Sequence, residues 1–119
     1  MNYGIEPPND LWRFNISNIS IDKSISDKLH YRLSNININE VPNTLTLEIY
    51  DRKDDPILDY LRENIMDSSK IIESNIEVYS RSGDLEKTEY YNLKFSKISI
   101  HEDNETEFNK LLIKFNIVN

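Results

Sequence analysis

The chain has 119 residues, 21 acidic against 14 basic side chains, a formal net charge of −7 and no cysteine. This length fits one domain that can bury a core of its own, and the missing cysteine excludes thiol catalysis, disulfides and Cys-based zinc sites together. Nucleic-acid affinity comes from Lys and Arg on phosphates; the bases do not cluster along this sequence, so the acidic balance reads as a surface that repels DNA.

Residues 1–10, MNYGIEPPND, read as an extended N-terminal arm, and residues 11–119 as a single β domain. Pro7-Pro8 is stiff and extended, Asn9-Asp10 is turn-prone, and Tyr3 and Ile5 give the arm apolar groups to dock with. Neither a signal peptide nor a stretch of about 20 apolar residues is recognisable, which predicts a cytoplasmic protein.

Period-2 alternation begins with Trp12, Phe14 and Ile16. After the polar residues 22–28, the set Leu29, Tyr31, Leu33 predicts a second strand. The phase then slips by one to Ile36 and Ile38, so Ser34-Asn35 predicts a bulge or bend. Val41-Pro42-Asn43 is a turn, and Leu45, Leu47 and Ile49 follow on one face.

The period changes at Asp54-Asp55-Pro56, an Asp cap followed by Pro in the first turn. With Ile57, Leu58, Leu61 and Ile65 as its stripe, this predicts one helix over about residues 55–67. Strands resume at Ile76 and Val78, turn at Ser82-Gly83-Asp84, where Gly83 supplies positive φ, and run through Tyr91, Leu93 and Phe95. A second slip leads to Ile98 and Ile100. Residues 101–107 are a charged loop, and Leu111, Ile113, Phe115 and Ile117 form the clearest strand. The expected fold is mainly β (α+β): an antiparallel β-sandwich or partly open barrel with one flanking α-helix.

Motifs of chemistry are scarce. His30, read within a strand, and His101, at the start of the acidic loop, lack the spacing of a zinc pair. The acids at 51, 54 and 55 have the wrong offsets for a calcium loop, and those at 102–107 read as a solvated loop. With glycine only at positions 4 and 83, no phosphate loop or nucleophile elbow can form. No catalytic, cofactor-binding or metal residue is assigned, and no cofactor is expected. Tyr79, Tyr90 and Tyr91 lie on adjacent strands and predict cross-strand pairing.

The order of elements resembles the tail tube proteins of contractile-tailed phages and the related type VI secretion tube proteins. The resemblance is carried by the run Thr44 to Asp51, the helix-forming insert, the run Asn75 to Tyr79, the Ser82-Gly83-Asp84 turn, the run Tyr91 to Ile98 and the closing strand Leu111 to Ile117. It implies a virion subunit, assembled in the cytoplasm of a bacterial host. Copies of it would join edge to edge into a ring, contact other tail or baseplate proteins, and form or cap a channel that DNA passes without sticking. The implied assembly interface is the arm, through Tyr3, Ile5, Pro7 and Pro8, together with the hairpin tip Ser82, Gly83 and Asp84. Two readings stand beside it: a monomeric protein-binding β module (adaptor or inhibitor), and a small enzyme whose carboxylate pair is brought together only by the fold.

Overall fold

The computed structural model describes residues 12–118. Six strands and two helices follow one another: β1 (Trp12–Ile16), α1 (Lys23–Arg32), β2 (Leu33–Glu40), β3 (Asn43–Arg52), α2 (Leu58–Ile65), β4 (Ile72–Tyr79), β5 (Leu85–Glu102) and β6 (Phe108–Ile117). The strands form one antiparallel sheet in the order β1-β4-β5-β6-β3-β2, not closed into a barrel.

The mainly-β antiparallel class therefore holds, and the sheet's inner face is the one its alternation marks. Leu45, Leu47 and Ile49 of β3 lie opposite Phe115, Ile113 and Leu111 of β6, and all six are buried. Phe14 and Ile76 continue the same face through β1 and β4. Both predicted slips are present. Leu33 pairs with Ile49 but Asn35 with Glu48, and Phe95 pairs with Phe115 but Lys97 with Lys114. Each bulge inserts one residue, Ser34 or Ser96, and restores the inward phase beyond it.

β5 holds the sheet together. Residues 85–93 pair with β4 and residues 93–102 with β6, so Leu93 belongs to both ladders. Eighteen residues would reach about 59 Å if straight, while the molecule is 38 Å in its longest extent. The strand must bend, and the bulge at Ser96 lies within its second half. The bend folds the two halves of the sheet around a common core.

The helices close that core. α2 joins β3 to β4, which two strands separate in the sheet, and it buries Ile57, Leu61 and Ile65 at intervals of four residues. It spans 58–65, shorter than the 55–67 expected: its N-cap is Ile57, with no side-chain cap hydrogen bond, and Asp54, the expected cap, is bound to Arg52 instead. Both oxygens of Asp51 accept from the Ile57 N–H, at 3.1 and 3.2 Å.

The expectation of one helix is overturned. Residues 23–32, read as a polar stretch running into a strand, form α1. Asp22 accepts from the Ser24 N–H at 2.8 Å as its cap. Ile25 and Leu29, four apart, turn toward the core, and Tyr31 points away from it. His30 is thus helical, and only Leu33 of the expected second strand begins β2. The tyrosine pairing fails as well. Tyr90 lies opposite Asn75, Tyr91 opposite Ser74, and Tyr79 opposite Leu85.

Candidate functional site

The outer face of the sheet is polar along most of its length, but not where β3 ends and β6 begins. Tyr50 lies opposite Lys110, and Arg52 opposite Phe108. The last turn of α1 brings Tyr31 and Arg32 alongside. Tyr31, Tyr50 and Phe108 are 69%, 41% and 37% exposed. They contribute to two adjoining hollows. The first, of about 390 Å³, is lined by Tyr31, Arg32, Ser34, Tyr50 and Phe108. The second, of about 330 Å³, is lined by Tyr50, Phe108, Lys110, His101, Glu102, Asp103 and Thr106. Tyr50 and Phe108 are common to both, so the surface is an aromatic groove in two compartments.

Beneath the groove lies a network of charges. Arg32 donates to Asp51 Oδ1 at 2.9 Å, with the two side chains only 10% and 5% exposed. It also donates to the Asp55 carbonyl at 2.6 Å and to Asp55 Oδ2 at 3.1 Å. Lys28 binds the same Asp55 carboxylate at 2.9 Å, and hydrogen bonds from Lys28 and then Arg32 hold that carboxyl below its ordinary range. The network fixes the end of α1, the end of β3 and the start of α2 to one another.

The remaining cations of the groove are also engaged. Arg52 binds Asp54 through two hydrogen bonds of 3.0 and 3.1 Å, with its guanidinium 5.7 Å from the centre of the Phe108 ring. This lowers the Asp54 carboxyl and raises the guanidinium. Lys110 binds Glu48 at 2.9 Å, which raises its ammonium. Lys53 donates to the carbonyls of Asp103 and Thr106, tying the loop before α2 to the loop before β6. The groove is thus a surface of aromatic rings whose neighbouring cations are paired. Such a surface suits contact with protein, where Tyr, Phe and Arg are enriched, better than capture of a phosphate.

The sites expected from sequence lie elsewhere. Tyr3, Ile5, Pro7 and Pro8 are outside the described residues. Ser82, Gly83 and Asp84 form the turn between β4 and β5, with Gly83 at φ +90°; the Ser80 N–H donates to the Asp84 carbonyl at 2.8 Å and the Gly83 N–H to the Ser80 carbonyl at 3.0 Å. The turn and the groove adjoin opposite ends of β5 and form no common site. The groove did leave a trace in the sequence: Tyr50 and Phe108 are large aromatics on the polar phase of strands whose other phase carries the apolar runs Leu45, Leu47, Ile49 and Leu111, Ile113, Phe115.

One expectation about charge is corrected. The bases do gather: Lys97 lies directly opposite Lys114, and Lys94 opposite Asn116 beside it, all on the outer face. Among the described residues, no three acidic or histidine side chains are grouped so as to hold a metal ion, and no helix is long and apolar enough to cross a membrane. Comparison with protein-family profiles, curated proteins and solved structures gave no match to this chain.

Proposed function

We propose that the chain is a structural subunit that assembles with copies of itself, as the subunits of phage tail tubes and type VI secretion tubes do, and that it works by contact and not by chemistry. The observation that carries this reading is the aromatic groove at Tyr31, Tyr50 and Phe108, an exposed apolar surface that the domain's own packing does not need. The sheet supports it. β1 and β2 are its border strands among the described residues, and a sheet left unclosed has borders that another chain can complete. In this reading the acidic surplus keeps DNA from adhering to a wall built of such subunits.

The test is the mass of the purified protein by light scattering over a range of concentration, with negative-stain microscopy of the same sample. Rings, tubes or a concentration-dependent mass are expected, with at least a tenfold weaker association for Tyr31→Ala/Tyr50→Ala. Both side chains are exposed, so the variant keeps the fold. A wild-type protein that stays monomeric at high concentration overturns self-assembly and leaves the adaptor reading, in which the groove takes a foreign protein.

A further inference from the structure

The outer face of the β5–β6 hairpin places lysines where the domain gains nothing from them. Lys97 and Lys114 are directly opposite each other, and Lys94 lies diagonal to Lys114, two residues along from the Lys97 pair. Like charges in direct cross-strand opposition destabilise a sheet. No carboxylate among the described residues forms an ion pair with any of the three, whereas Lys110, on the same face of β6, is paired with Glu48. The grouping depends on the bulge. In a regular strand Lys94 and Lys97, three residues apart, would point to opposite faces; the extra residue Ser96 brings them to the same one. In a chain of net charge −7, this is a local excess of positive charge with no internal partner.

The same hairpin ends in the opposite charge. Glu102, Asp103, Glu105 and Glu107 are all exposed. Arg52 approaches Glu107 at 3.7 Å, and Lys53 binds the loop through its carbonyls and not its carboxylates. Patch and loop lie at different points along one hairpin, so a single molecule cannot bring its own loop onto its own lysines without unpairing the strands. Two molecules can.

We infer that Lys94, Lys97 and Lys114 receive the acidic loop 102–107 of a second copy. This deepens the self-assembly proposed above and rests on it. The contact joins different surfaces of the two partners. It therefore leaves each copy with one free patch and one free loop, the condition for a ring or an open polymer.

Sedimentation velocity of the full chain tests the contact, using Lys97→Glu/Lys114→Glu, Glu102→Lys/Glu105→Lys and a mixture of the two. Each variant alone is expected to associate at least tenfold more weakly than wild type. Mixed, they are expected to regain association in alternating order, because the acidic patch of one meets the basic loop of the other and the basic patch of the second meets the acidic loop of the first. Wild-type association should weaken as salt is raised. Lys97→Gln separates recognition from folding: it is expected to keep or raise the melting temperature, by relieving the like-charge pair, while lowering association. Wild-type association in either charge-reversed variant, or a mixture no more associated than its components, overturns the contact while leaving self-assembly intact. A wild-type chain that never associates overturns both. Binding of duplex DNA that Lys97→Glu/Lys114→Glu abolishes, with self-association unchanged, assigns the patch to nucleic acid instead and also overturns the inference.

Discussion

Asp51 shows how much a single side chain can do in a small domain. It is the last inward position of β3, where the ladder's alternation calls for an apolar residue, and it is buried. Its charge is tolerated because Arg32 meets it at 2.9 Å and the Ile57 N–H donates to both its oxygens. An ion pair of this kind adds little net stability over an apolar pair of the same size, but removing one partner strands the other in a medium that solvates it poorly. Asp51→Ala is therefore expected to destabilise the domain by about 3–5 kcal/mol, read from urea unfolding. Asp51→Asn, which keeps an acceptor for Ile57, should lose less. A loss for Asp51→Ala no larger than for a surface substitution would show that water reaches Arg32 and that the network is not buried as described. Asp55 binds the same guanidinium from an exposed position, where solvent screens the pair, so Asp55→Ala should cost clearly less than Asp51→Ala.

Among the elements, α1 separates what the sequence discloses from what it does not. Strands β3 and β6 are legible because Leu45, Leu47 and Ile49, and Leu111, Ile113 and Phe115, recur at every second position and are buried, so periodicity and burial carry the same message. α1 needs only Ile25 and Leu29 on the core, two residues in ten, and its last turn runs into Leu33 of β2. The set Leu29, Tyr31, Leu33 then imitates a strand, although Tyr31 faces away from the core. The signals that oppose this imitation are local: Asp22 at the cap, and the i,i+4 ion pair of Lys23 with Asp27 at 3.0 Å. With so little apolar surface of its own, α1 leans on its cap. Asp22→Ala is expected to cost about 1 kcal/mol, with amide exchange accelerated in the first turn of α1 and little changed in β3 and β6. Uniform acceleration throughout the chain would mean that α1 does not open separately from the sheet. The groove was hidden for a related reason. Tyr31, Tyr50 and Phe108 meet only through the β3–β6 register and the placement of α1, and neither can be read from the spacing of residues 31, 50 and 108. The lysine patch, likewise, exists only once Ser96 has moved Lys97 to the face of Lys94.

At the scale of the whole molecule, the question is what turns one sheet into an enclosed core. The borders do not pair with each other, so closure comes from curvature and from the helices. Curvature is concentrated in β5, the one strand whose two halves serve different neighbours, and Leu93 is the residue where they meet. Beyond it, the Phe95 and Phe115 rings pack edge to face at 6.2 Å, and the next step of the ladder carries Ser96 as an unpaired extra residue. Deleting Ser96 separates bend from register. Phe95 would still oppose Phe115, Lys97 would still oppose Lys114 and Ile98 would still oppose Ile113, so no apolar side chain changes face. What is lost is the local kink that a bulge provides. The deletion is expected to lower stability by about 2 kcal/mol with strand content preserved by circular dichroism. The loss should be accompanied by faster amide exchange in β1 and β4, the half of the sheet that the bend brings back over the core. An unchanged unfolding midpoint would place the bend elsewhere in β5, at Leu93 itself, where the strand passes from β4 to β6 without a bulge.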